Sequence, residues 1–125
     1  MDSFDAGLKM RTKVLGEAHV KRSLADVDDF NRELQQIVTG FAWGQIWTRP
    51  GLSPRDRSLL NLGMLTALNK PHEFKTHLRG ALNNGLSREE IREALLQSAV
   101  YCGFPAAIEA FRHAREVFKE IDGRG

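Results

Sequence analysis

Nowhere in this chain do apolar residues alternate convincingly with polar ones at a spacing of two; where they recur, the intervals are three and four. A spacing of two marks a half-buried strand and the longer spacing marks one face of a helix, so the pattern commits the chain to an all-α fold. The strongest case is Phe30, Leu34, Ile37, Val38 and Phe41, which predicts an amphipathic helix with its stripe turned to a core. Ahead of it, Ser3 can cap a first helix bearing Phe4, Leu8 and Leu15, which Gly16 stops. The polar segment EAHVKRSLADVDD, with His19, Lys21 and Arg22, completes an N-terminal arm of about residues 1–27. Such an arm can fold onto its own domain or across a neighbouring subunit. Asp26, Asp28 and Asp29 then supply helix-start chemistry to a helical core of about residues 28–121.

In FAWGQIWTRPGL, Gly40 just before it and Gly44 within it lower helix propensity, and Trp43 and Trp47 stack one turn apart if the helix persists. Pro50-Gly51 ends the element. Ser53-Pro54 is a cap followed by a first-turn proline, opening RDRSLLNLGMLTALN, a helix apolar nearly all round and expected to be central and covered on most sides. Its first turn holds Arg55 and Arg57, where the helix dipole disfavours cations, so both need another partner. For Arg55 that is solvent or an acidic side chain; Arg57, beside the apolar face, is the candidate for a bound carboxylate. Across Asn69-Lys70 comes a helix opened by Pro71 and closed by Gly85, so the two predict a central antiparallel hairpin. Ser87-Arg88-Glu89-Glu90 is a capping box for the next helix, and Pro105 starts the last. The expectation is one compact domain over residues 1–125, a bundle of about six helices.

The Pro71–Gly85 helix carries the most chemically suggestive pair. Phe74, His77, Leu78, Ala81 and Leu82 form its inward stripe, and Glu73 lies one turn before His77 on the same face. A carboxylate and an imidazole entering an apolar interface serve equally well as an acid–base unit or as a structural hydrogen-bonded pair. Trp43 reads either as core or as a pocket wall, and Arg49 as an anion contact before the turn. His72 and His77 are five apart, roughly 140° around a helix, so they cannot chelate one ion together; no metal site is expected. With 125 residues, 42% of them hydrophobic, the chain can build one real core. A net charge of +2 without a basic tract implies no nucleic-acid partner. The start MDSFDAGLKMRTK lacks the apolar run of a signal peptide, and no stretch approaches the about 18 apolar residues of a membrane span. Cys102, the single cysteine, cannot form an internal disulfide, so a soluble cytoplasmic protein is expected.

Taken in order, RTKVLGEAHVKRS, FAWGQIWTRPGL, RSLLNLGML, EFKTHLRGALNNG and YCGFPAA resemble the carboxymuconolactone decarboxylase family, from about Arg11 to the final helix. The resemblance implies an alkylhydroperoxidase-like helical fold and a homo-oligomer, a ring of dimers making a hexamer. The thiol peroxidases of the wider superfamily carry CxxCxxxH in the Pro71–Gly85 region. Here His77 matches the histidine, while Lys70 and Glu73 stand at the cysteine positions and Ser58 at that of their glutamate. The thiol machinery is therefore absent, and one cysteine cannot run a resolving cycle within the chain.

The activity implied is conversion of 4-carboxymuconolactone to an enol-lactone and CO2 in the protocatechuate branch of the β-ketoadipate pathway, without a cofactor. The leaving carboxylate sits on the lactone γ-carbon, so its electrons delocalise through the ring C=C to the carbonyl, and the substrate is its own electron sink. The protein must hold a dianion, stabilise the developing oxyanion and protonate the ring α-carbon. Arginine's planar fork suits the first task, and a histidine with its ordinary pKa of about 6.5 suits the last. The chemistry of that reaction thus allocates His77 as proton donor, oriented or recharged by Glu73. It gives Arg57, with Arg49 as a second candidate, to the carboxylates, Trp43 to the wall against the ring, and His19 and Tyr101 to the oxyanion or the second carboxylate. His72 and His113 are expected at the surface or in structural roles. Three alternatives stay open: an alkylhydroperoxidase-like thiol peroxidase, a decarboxylase or isomerase of another lactone, and a non-catalytic assembly module on the same helices.

Overall fold

The computed structural model describes residues 2–123, which form helices joined by short connections and contain no strand. Seven α-helices and one π-helix follow in the order α1 (Ser3–Leu15), α2 (Glu17–Ala25), α3 (Arg32–Ile37), the π-helix (Val38–Ile46), α4 (Pro54–Ala67), α5 (Pro71–Asn83), α6 (Arg88–Cys102) and α7 (Phe104–Gly123). They group into two compact units, divided between Pro54 and Arg55.

In the first unit the cap of α1 is Asp2, whose carboxylate accepts from the Asp5 backbone N–H at 2.9 Å; Ser3 is already inside the helix. Gly16, at φ 94°, stops α1 as expected. The face of α1 that is buried is Gly7, Arg11 and Val14, rather than Phe4, Leu8 and Leu15. The reason is a close crossing with the π-helix. A Cβ on Gly7 would lie 1.8 Å from the Thr39 carbonyl oxygen, and one on Gly44 would lie 2.0 Å from that of Ser3. Gly44 thus permits contact between two backbones, which matters more here than its low helix propensity. The polar segment after Gly16 forms the helix α2, with Val20 buried.

Trp43 and Trp47 do stack, with ring centroids 4.5 Å apart and planes 18° from parallel. They pack with Val14, Met10 and Val38 in this unit's core. The turn that carries them is π rather than α: the Trp47 N–H bonds the Ala42 carbonyl five residues back, at 3.0 Å. The expected inward stripe of this region is turned outward. Phe30 is 96% exposed, and Leu34, Ile37 and Phe41 are exposed as well, because α1 occupies the opposite face through Thr39 and Trp43.

In the second unit Leu62 of α4, Phe74 and Leu78 of α5, Ile91 and Leu95 of α6 and Val117 of α7 form one buried cluster. Fully burying each such side chain contributes about 1.5–3 kcal/mol. α5 is tied down by Pro71 at its start and by Gly85, at φ 96°, just past its end. The capping box of α6 is complete: the Ser87 hydroxyl accepts from the Glu90 N–H and Glu90 accepts from the Ser87 N–H. Glu90 also pairs with Arg55, the acidic partner that this first-turn arginine required. Ala107, Ala110 and Ala114 give α7 a small-residue stripe that lets it pack closely. Its register is marked by the pairs Lys75–Glu116 and Arg79–Glu120 and by a two-pronged Arg88–Asp122 pair at 2.7 and 3.1 Å. Hydrogen bonding to Lys75 holds the Glu116 carboxyl below its ordinary pKa, and Arg88 does the same to Asp122. These pairs are exposed, so they specify alignment rather than carry stability.

One expectation for this unit is corrected. α4 buries only Ser58, Leu62 and Thr66, and Leu60, Met64 and, just past its end, Leu68 form an exposed stripe at intervals of four. An all-round apolar helix has more hydrophobic surface than α5, α6 and α7 cover within this unit.

Candidate active site

Two side-chain contacts set α4 against α5. Asn61 Nδ2 lies 3.5 Å from His77 Nδ1, and Asn84 Nδ2 donates to Ser58 Oγ at 2.9 Å. Moving back three residues on α4 moves forward seven on α5, so the helices run antiparallel, the predicted hairpin. Ser58 is fully buried; its hydroxyl accepts a bond at the very position where the thiol relatives are expected to carry a glutamate. Arg57 sits one turn before Asn61, on the face of α4 that reaches His77, and is partly buried. This end of the hairpin therefore gathers a cation, an amide and an imidazole beside an apolar core.

His77 is partly buried, between the fully buried Phe74 and Leu78. When the Asn61 amide donates to Nδ1, the neutral ring carries its proton on Nε2. Glu73 is exposed in the first turn of α5. Tyr101, at the end of α6, is 81% exposed, and the neighbouring Cys102 is partly buried with a free thiol. His72 is exposed; His113 is half-buried on α7, with Nε2 3.7 Å from Glu109. Among the described residues no three His, Cys, Asp or Glu side chains are placed to hold one metal ion, and no helix is long and apolar enough to cross a membrane.

The remaining sequence candidates belong to the first unit. Trp43 is buried in its stack, His19 is partly buried on α2, and Arg49 is exposed after the π-helix, its N–H bonded to the Ile46 carbonyl. Sequence reasoning passed over Asn61, Asn84 and the buried Arg11. Asn61 left a signal: it is the one amide within the leucine-rich run of α4, Leu59, Leu60, Asn61, Leu62. A polar group set in such a run needs a partner, and His77 is one.

The model of the carboxymuconolactone decarboxylase family matches residues 32–116. The chain is 44% identical over 118 residues to a 4-carboxymuconolactone decarboxylase of Acinetobacter baylyi, covering 94% of this chain and 88% of that one. It is 43% identical over 122 residues to the nitrosuccinic acid decarboxylase npaB of Metarhizium robertsii, covering 98% and 85%. A 4-carboxymuconolactone decarboxylase of Pseudomonas putida matches 41 residues at 49% identity, 33% of this chain and 85% of the other. With helices throughout, a buried hairpin bearing His77 and similarity along nearly its whole length, the chain belongs to the carboxymuconolactone decarboxylase family.

Proposed function

We propose that this chain is a carboxy-lyase that converts 4-carboxymuconolactone to the enol-lactone and CO2 without a cofactor, as a cytoplasmic step of the protocatechuate branch, and that residues 1–125 act as one domain. The observation that carries this reading is the placement of His77 beside Asn61, one turn from Arg57, in a chain similar over 94% of its length to the Acinetobacter baylyi enzyme. In the step itself the C–C bond to the γ-carboxylate breaks and its electron pair passes into the lactone. His77 then delivers a proton to the ring α-carbon, and Glu73, open to solvent, returns one to His77. Arg57 holds a substrate carboxylate. Tyr101 is assigned to the oxyanion, and Trp43, Arg49 and His19 keep the ring and carboxylate roles allocated to them from the needs of the reaction.

A second substrate has nearly equal support, because the nitrosuccinic acid enzyme is 43% identical over 98% of this chain. The chemistry is related. Nitrosuccinate is also a dianion, and loss of CO2 beside its nitro group leaves a nitronate, again a sink within the substrate. The two differ in where the proton goes: to the carbon that lost CO2 in nitrosuccinate, but to a different ring carbon in the lactone. The test is to supply each compound to the purified protein and follow CO2. Turnover of the lactone with kcat/KM at least about tenfold higher supports our reading, a difference of about 1.4 kcal/mol in transition-state binding. The reverse order reassigns the substrate to nitrosuccinate, and no release from either removes the decarboxylase reading.

Arg57→Ala should raise KM on the preferred substrate by about 10–100-fold with kcat little changed, the effect of losing a charge-assisted bond made equally in ground and transition states. Equal KM in the variant would take Arg57 out of the binding site.

The exposed stripes of Phe30, Leu34, Ile37 and Phe41 and of Leu60, Met64 and Leu68 support a homo-oligomer, which we propose is the hexamer. Light scattering at micromolar concentration should therefore give several times the 14.1 kDa of one chain, and a monomeric mass would refute it.

A further inference from the structure

Arg11 is 6% exposed, yet among the described residues its Nη1 finds only uncharged acceptors: Gln35 Oε1 at 3.0 Å and Thr39 Oγ1 at 3.2 Å. Its Nε is buried without a hydrogen-bond partner, and burial lowers its pKa. A buried guanidinium with no carboxylate is expensive, and an apolar side chain of the same length would pack there without that cost. Its two bonds fall at one particular place. Gln35 is in the last turn of α3 and Thr39 is the second residue of the π-helix, so one nitrogen spans the junction where the helix widens.

Thr39 is held unlike any other threonine of the chain. The hydroxyls of Thr12, Thr48, Thr66 and Thr76 each donate back to the carbonyl four residues earlier, the usual habit of a helical threonine. The Thr39 hydroxyl instead accepts from Arg11, while its carbonyl is pressed by Gly7, one turn before Arg11 on α1. The hydroxyl of this fully buried residue is thus bonded by α1, and its carbonyl lies against α1. Four residues on, the widened turn lays Trp43 over Trp47.

We infer that Arg11 is a positioning residue: by bridging Gln35 and Thr39 it sets the π-helical register that stacks Trp43 on Trp47. Its bearing on the reaction rests on the reading of Trp43 as the wall against the substrate ring; the register itself does not.

Trp43 and Trp47 are the only tryptophans, so their coupling is readable as an exciton couplet in the circular dichroism of the intact protein. Arg11→Met and Thr39→Val, each close in shape to the residue it replaces, should lose most of that couplet while the helical signal stays. They should also lower kcat/KM by on the order of tenfold, chiefly through KM, as a misplaced pocket wall does. If either single variant fails to fold, the double variant removes both partners together, so that only the partly exposed Gln35 side chain loses a donor. A couplet of wild-type size in any folded one of these variants overturns the inference. The couplet is read without substrate: a protein inactive on both the lactone and nitrosuccinate refutes the decarboxylase reading and leaves the register result standing. Loss of the couplet with KM unchanged supports the register and refutes the role of Trp43.

Discussion

His77→Ala should lower kcat on 4-carboxymuconolactone by about 10²–10⁴-fold, the usual effect of removing an acid–base group, with the helical content unchanged. The fold should tolerate the change because His77 is only partly buried, while Phe74 and Leu78 on the same helix are fully enclosed. Steady-state rates beside far-UV circular dichroism separate the two effects. Glu73→Gln should cost far less, since an exposed carboxylate is screened by solvent and its task of returning a proton can be shared with buffer or water. Comparable losses in both variants would make the pair one catalytic unit, as their spacing on α5 first suggested. A kcat near that of the wild type in His77→Ala would remove His77 from the mechanism and make Tyr101 and His19 the next donors to test.

Gly7→Ala should destabilise the protein by about 3 kcal/mol, the upper part of the range for overpacking. Two effects oppose each other at this site. Alanine is the better helix former by about 1 kcal/mol, and α1 would gain that much on propensity alone. Against it stands the Thr39 carbonyl, 1.8 Å from the new Cβ. A backbone oxygen cannot rotate aside, so α1 and the π-helix must part by more than an ångström along a contact that also holds Arg11 and Val14. Gly51→Ala is the control, because nothing lies within 4 Å of its new Cβ. Chemical denaturation of both variants checks the prediction, and a Gly7→Ala protein as stable as the Gly51→Ala one would contradict it.

The helices themselves were legible because their signals are local. Pro71 and Gly85 bound α5, Ser87 and Glu90 cap α6, and the absence of any two-residue alternation leaves no strand to pair. Each depends on residues within a few positions of one another. The same holds for the Trp43–Trp47 stack, four residues apart on one element, and for His77 as the polar member of an apolar stripe. The family resemblance added the chemistry, since five motifs in order are also a property of the chain alone.

What only the tertiary structure decided are meetings between residues far apart in sequence. Gly7 lies beneath Thr39, Ser3 against Gly44, Arg11 against Gln35, and Asn61 beside His77. No propensity marks a glycine as the floor of a helix crossing, or a threonine as diverted from its own helix. The apolar stripe from Phe30 to Phe41 shows the same division from the other side. Periodicity correctly finds the face, because a helix repeats every 3.6 residues wherever it sits. Which face is covered depends on what else is free to pack there, and α1, keyed by Gly7 and Arg11, took the other one.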